Sequence, residues 1–445
     1  MTLKQIKDYY KSVFLLRDEN DTIIDVIMSV ALNVHTDSDS IWVMILGAPS
    51  SGKTECAMIL SEVDKCFVIS TVTENTFLSG MRGIDGKEVS LLRQVGRKGL
   101  FIAKDYTTIL SMDHTKRDTI VAQFREIYDG HFVKRTGNGV GGEWKGKVNL
   151  IGCSTDAIFS ADGEGAEMGR RALNYVLPEM DDKERKAMMR MSNKNLTDIK
   201  QKREKLKEMV KEFMAELVES LPRDENGLAH LPAVEESLQE SIMDLANFLT
   251  RARTATKRDF QGKLIQVMWS ESPTRANNQL QMLAQTFQWM NQGETSDAQK
   301  KCVYKIALDS IPKLRRTTLN VLATYDLVTT KGFAQKLGYP SKTAREWLED
   351  LNVLGIITRS SGEAVHSPGA DTWKIKDEYR NIVLTYDTTV DRIHEQLEGD
   401  ESMSDEGGSY GDPHNYDPGV IEEQEAKAEK AFDNLLMDFG MGDKG

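Results

Sequence analysis

The chain has 445 residues, enough for two to four domains with buried cores. Apolar residues make up 40% and charged ones 28%, which excludes a collagen-like or wholly disordered chain. The formal charge of −12 sits at one end: residues 387–445 carry 17 Asp/Glu against 4 Lys/Arg, and the rest sums to +1 (−12 minus −13).

A near-neutral body with an acidic tail is compatible with local basic surfaces that bind nucleic acid. The longest apolar stretch, 41–46, is far too short to cross a bilayer, and the first ten residues lack the apolar core of a secretory signal. Four cysteines (Cys56, Cys66, Cys153, Cys302) form no C-x-x-C pair, and the seven histidines hold no metal-ligand spacing. That excludes a disulfide framework and a zinc ribbon. A soluble protein of a reducing compartment, with no membrane partner, is expected.

Residues 1–40 read as one or two helices, with 22–33 the clearest amphipathic stretch. Strands and helices then alternate from 41 to about 178, the pattern of an α/β layer fold. Residues 41–46 read as a buried strand, followed directly by Gly47-Ala-Pro-Ser-Ser-Gly-Lys-Thr54 and a helical stretch, 55–60. This is G-x-x-x-x-G-K-[ST] in the setting its chemistry needs. The expected nucleotide contacts are the backbone of Gly47, Ser50, Ser51 and Gly52, whose N–H groups would point at phosphate oxygens. Lys53 would reach the β- and γ-phosphates and Thr54 would ligand Mg²⁺, so ATP and Mg²⁺ are the expected cofactors.

A strand at 99–105 ends in Asp105, 51 residues after Thr54, where a magnesium-holding aspartate is expected. Tyr106 follows it in place of a water-activating glutamate. Glu74, just after a strand at 67–71, is the substitute base. Between 125 and 147 two strand-like flanks, 132–136 and 143–148, enclose a glycine-rich tip and read as a β-hairpin. Lys134, Arg135, Lys145 and Lys147 load it with charge suited to phosphates, and Trp144 adds an aromatic. A smaller hairpin is expected from Gly80 onward. A further strand, 148–155, ends in the polar Ser154 and Thr155.

Residues 181–221 read as a solvated charged helix with one packed face. Helices follow to about 291, one of them opening at Arg275. Residues 296–386 read as a winged helix. Its helix–turn–helix has Gly338 ending the first helix and Ser341 as N-cap of the second, with wing strands at 356–359 and 371–376. Lys342, Thr343 and Arg345, early in the second helix, lie where DNA contacts are made. The tail, 387–445, is expected to be disordered. Residues 431–441 within it read as a helix that docks a replication partner or as a random amphipathic stretch.

The order of these parts resembles the AAA+ ATPases. In that family a strand inserted between the P-loop strand and the acid-ending strand carries the sensor-1 residue, here Thr155 or Ser154. The segment Met168-Gly-Arg-Arg-Ala-Leu-Asn-Tyr-Val-Leu-Pro resembles the one that holds the arginine finger, with Arg171 the better match and Arg170 the second. The helix opening at Ser272-Pro-Thr-Arg275 resembles the sensor-2 helix of the lid, with Arg275 over the phosphates. The hairpins at their two positions are similar to those of the helicase clade that includes the MCM proteins, and the runs 104–112 and 125–130 to ATPases of phages and mobile elements. The resemblance implies an ATPase core at 1–180, a helical lid with a charged insert at 181–295, a winged helix at 296–386 and an acidic tail.

It further implies a hexamer-like homo-oligomeric ring acting on DNA as a helicase or translocase, in the cytoplasm of a bacterial or phage-infected cell. A non-translocating ATP-dependent DNA-binding switch (a replication initiator, loader or regulator whose winged helix binds a defined site) is the alternative. A protein remodeller without a DNA substrate is a third reading, which the basic hairpin and the helix–turn–helix disfavour.

Overall fold

The structure, a computed structural model, describes residues 1–79, 90–135, 142–160, 171–325, 327–361 and 371–384. Contacts divide the chain into two units: Met1–Thr250 with Ser272–Pro312, and Arg251–Glu271 with the chain from Lys313 onward. The smaller hairpin beginning at Gly80, the glycine tip at 136–141, Arg170 and the acidic tail lie outside the described residues.

The first unit is mixed α/β. Its strands are β1 (Trp42–Leu46), β2 (Cys66–Ile69), β3 (Lys98–Ala103), β4 (His131–Lys134), β5 (Gly142–Lys145), β6 (Lys147–Ser154) and β7 (Leu173–Val176). Five of them form a parallel sheet in the order β2-β3-β6-β1-β7, while β4 and β5 pair antiparallel with each other. β6 therefore lies between β1 and β3, the placement that the resemblance implies. All eight of its residues are buried, including the polar Lys147, Asn149 and Ser154, whose side chains find hydrogen-bond partners inside. Phe77, Phe101, Phe124 and Trp42 pack ring to ring in the main core.

β7 is an edge strand, and its exposed backbone is satisfied by helix Asp297–Asp309. Val176 N donates to Asp309 Oδ2 (2.7 Å), Asn174 N to Ser310 Oγ (2.8 Å), and Lys305 Nζ to Val176 O (2.8 Å). This helix belongs to the first unit although the sequence groups it with the C-terminal segment. Helix Thr22–Asn33 has the expected bounds but is not amphipathic, because all twelve residues are buried. β6 and helices Thr274–Met290 and Asp297–Asp309 pack around it, so no face meets water. The charged helix Ile199–Glu219 does keep one packed face, Leu206, Val210, Phe213 and Met214, against helix Leu3–Val13.

The expected hairpin flank 143–148 is broken at Gly146, where a Cβ would lie 2.4 Å from Arg97 O. β5 ends before this kink and β6 begins after it. Lys147 is thus the first residue of a core strand and not part of the hairpin.

The second unit contains a hairpin of β8 (Thr256–Arg258) and β9 (Leu264–Val267), in a stretch the sequence suggests is helical. Its antiparallel sheet has the order β10-β12-β11, made of Val328–Thr329, Asp371–Ile375 and Ile357–Ser361. Helices Lys313–Thr324, Thr330–Leu337, Ser341–Val353 and Asp377–Leu384 accompany it. Gly338, at φ 68°, ends helix Thr330–Leu337 as expected. Ser341 is not the N-cap of the next helix: Pro340 holds that position without a side-chain bond. Among the described residues, no helix is long and apolar enough to cross a membrane.

Candidate functional site

Because the sheet is parallel, the segments after β1, β2, β3 and β6 leave from one edge. Those segments are the loop 47–54, Glu74, Asp105 and Thr155. In the loop, Gly52 takes a positive φ of 88°, which glycine adopts freely, whereas Ser50 at 61° holds a conformation that costs a residue with a Cβ. The Lys53 ammonium is drawn across the loop. It donates to Gly47 O at 2.8 Å and Ala48 O at 2.6 Å, and lies 3.4 Å from Ser51 Oγ. Burial lowers its pKa, opposed by the nearby Cys153 and Asp105.

The Thr54 hydroxyl donates to Lys104 O (3.3 Å), which ties helix Lys53–Met58 to the end of β3 one residue before Asp105. Asp105 is exposed and its Oδ1 accepts from Thr107 N at 3.0 Å. A hydroxyl and a carboxylate brought together here are hard oxygen donors and suit Mg²⁺. Tyr106 is fully buried beside Phe124, and burial raises its pKa, so the position after Asp105 serves the core and supplies no base. Ser154 is buried, 3.4 Å from the Thr107 hydroxyl, whereas Thr155 is half-buried with Oγ1 accepting from Ala157 N at 3.4 Å. Glu74 is exposed, and its backbone carbonyl accepts from Gln123 (3.0 Å) and from Lys134 (2.7 Å).

Beside the loop is a cavity of about 340 Å³ lined by Tyr10, Phe14, Ser51, Gly52, Leu177 and Arg203 among others. The volume is in the range of small-molecule sites and the lining is largely apolar. Tyr10 shares a 3.0 Å hydrogen bond with Cys56, and Arg203 pairs with Glu55. Motif reading misses these residues. They come from the first helix and from the charged helix, and no spacing in the sequence links either to the loop.

Arg275 is not over loop 47–54. It lies above the Tyr128 ring (5.6 Å to the centroid), and so does Arg171 (6.0 Å), which also bonds Asp129 at 3.3 Å. Tyr128 packs edge-on to Trp42, and Gln279 joins Trp42 N to Arg171 O. Trp42 opens β1 and the loop follows Leu46, so the two arginines stand at the opposite end of the sheet, roughly 13 Å of strand away.

The basic residues expected to meet DNA are dispersed in role. Lys147 is 9% exposed and its ammonium bonds Asn33 O (2.6 Å) and Thr36, so it is unavailable to a ligand. Lys134 is bound to Glu74 O and Asn75 Oδ1 (2.6 Å), and Lys145 to Glu143 (2.7 Å). Arg135 is exposed. Trp144 is buried, with Nε1 donating to Gly96 O at 2.6 Å, and does not face solvent. In the second unit Lys342 is exposed and Thr343 half-buried, while Arg345 pairs with Glu349 (2.9 Å) and Asp371 (3.2 Å). The chain matches no protein-family model and no curated protein.

Proposed function

We propose that the chain is an ATP-hydrolysing P-loop motor of the AAA+ type acting on DNA, a ring-forming helicase or translocase of a phage or mobile element. One observation carries this reading. The order β2-β3-β6-β1-β7 gathers the loop 47–54, Asp105 and Thr155 at one sheet edge, beside an apolar cavity large enough for a base. Lys53 would leave its loop carbonyls for the β- and γ-phosphates. Mg²⁺ bound by Thr54 and Asp105 would neutralise charge on those phosphates. With Tyr106 committed to the core, Glu74 would orient the attacking water, and Thr155 would sense the γ-phosphate.

Arg171 and Arg275 both lie against the Tyr128 ring, far from their own loop, so they would act together on the nucleotide of a neighbouring copy. That differs from a lid arginine over the same chain's phosphates. The helix–turn–helix unit would then be a winged helix that assists duplex binding.

Lys53→Ala should lower ATP turnover by at least about a hundredfold. Arg171→Ala should still bind ATP and fail to hydrolyse it, and mixing it with Lys53→Ala should restore part of the activity. Wild-type turnover by Lys53→Ala would remove the nucleotide assignment, and no recovery in proven mixed assemblies would remove the shared-site role.

The second reading, a non-translocating ATP switch whose winged helix binds a defined DNA site, is favoured by the engagement of the hairpin lysines: Lys134 bonds Glu74 O and Asn75, Lys145 pairs with Glu143, and Lys147 is buried against Asn33 O. Sustained ATP-dependent strand displacement separates the two.

A further inference from the structure

Hairpin β8–β9 carries the two most exposed large apolar side chains among the described residues, Phe260 at 95% and Trp269 at 93%. Phe260 stands on the turn, where Gly262 N donates to Asp259 O (3.0 Å). Trp269 follows β9, and the pairing continues to it through Met268 N and Ala255 O (2.9 Å). At strand rise the two rings are on the order of 20 Å apart along the hairpin. Exposed aromatics of this size contribute nothing to the fold's core.

The hairpin is fastened to a helix. Arg258 donates to Glu346 O (2.6 Å) and Asp350 (2.7 Å), and Thr256 donates to Asp350 (3.0 Å). A Cβ on Gly262 would lie 2.2 Å from Glu346, so the turn rests directly on helix Ser341–Val353. The rings are therefore held out by a fixed scaffold.

Charge decides what they would meet. Residues 251–271 hold five Arg/Lys against two Asp/Glu. Both carboxylates are engaged: Asp259 accepts from the N–H groups of Gln261 and Lys263 (2.9 Å each), and Glu271 pairs with Arg253. Lys257 and Lys263 are exposed, and no ion pair among the described residues involves them. Flat aromatic faces on a short segment that also carries uncompensated cations match a ligand with flat bases on an anionic backbone.

We propose that this hairpin binds single-stranded nucleic acid, with bases stacked on Phe260 and Trp269 and phosphates near Lys257 and Lys263. The proposal rests on the DNA reading above and assigns it a second contact surface.

The test is titration of the full chain with a labelled thymidine homo-oligonucleotide, followed by anisotropy and tryptophan quenching. Phe260→Ala and Trp269→Ala should each weaken binding about 5- to 100-fold, and Trp269→Phe, which keeps a ring, should recover most of it. Lys257→Gln and Lys263→Gln should each lower the log–log salt slope by about 0.7. Wild-type binding retained by the Phe260→Ala/Trp269→Ala double variant overturns the hairpin site and leaves the DNA reading standing. A wild-type chain that binds neither single nor double strands overturns the DNA reading itself. A double variant altered only in self-association makes the rings a protein contact and also overturns the proposal.

Discussion

Hairpins β4–β5 and β8–β9 use the same ingredients, lysines and aromatics, and differ in which of them they bury. In β4–β5 the indole of Trp144 is 6% exposed and bonded to Gly96, and Lys134 clasps the loop at Glu74 and Asn75. In β8–β9 Phe260 and Trp269 are exposed to water while Arg258 holds the hairpin down. The difference lies in the anchor. One hairpin is secured by its aromatic residue and a lysine, which are then lost to ligands. The other is secured by an arginine, which leaves its aromatics free. Composition shows that a hairpin is basic and aromatic; only packing shows which of those groups a ligand can reach.

The largest expected effect tests the first half of this contrast. Trp144→Ala removes a buried ring and its hydrogen bond, and should cost about 3–5 kcal/mol in urea unfolding. A loss below about 1 kcal/mol would mean that Trp144 is not the anchor and would erase the comparison.

Lys147 sharpens it next. Burial foremost, with Lys98 adding repulsion, pushes its pKa down to about 7, while Asp37 and Asp39 oppose the shift. The unfolded chain keeps that proton to about 10.4, so between the two values it holds more protons than the folded state. Stability contributed by this group is therefore greatest above 10.4 and declines as pH falls toward 7. Raising the pH from 7 to 9 should add about 2 kcal/mol in the wild type, and Lys147→Met should abolish that increment. An equal increment in both would return Lys147 to the surface of the hairpin.

What could be read without coordinates follows the range of each interaction. Loop 47–54 was legible because its chemistry is carried by consecutive residues, and β6 was legible from Val148, Leu150 and Ile151, although the buried Asn149 interrupts them. The bounds of helix Thr22–Asn33 were legible too, but its burial was not, since that depends on helices Thr274–Met290 and Asp297–Asp309 far along the chain. The position of Arg275 was illegible for the same reason: its partner is Tyr128, nearly 150 residues away (275 minus 128). The break at Gly146 escaped notice because a glycine between two strand-like runs looks the same in a continuous strand as at a kink. β8–β9 escaped because its short strands lie between strong helical patterns.

A smaller effect separates two residues of the first hairpin. Lys134→Met removes donors to Glu74 O and Asn75 and should cost about 1–2 kcal/mol. Arg135→Gln, at an exposed position, should leave stability unchanged within about 0.5 kcal/mol and instead lower the salt slope of DNA binding. Urea unfolding and binding against salt, measured on both variants, check this division. If Lys134→Met were to lower the slope as much as Arg135→Gln at no cost in stability, its contact with the Glu74 loop would not be structural.

The smallest expected effect is the most discriminating. Trp269 is 93% exposed and no hydrogen bond or ring contact among the described residues involves it, so Trp269→Ala should change unfolding free energy by no more than about 0.5 kcal/mol. Phe260→Ala, at 95% exposure, should behave alike. Set beside Trp144→Ala, this is one residue type on two hairpins with a roughly tenfold difference in cost. Tryptophan emission gives an independent check, because Trp269 should account for most of the fraction quenched by iodide, and Trp144 for little of it. A Trp269→Ala variant that loses more than about 2 kcal/mol would show that the side chain is packed in solution. The second hairpin would then resemble the first, with an aromatic residue spent on anchoring and no flat face left for a base.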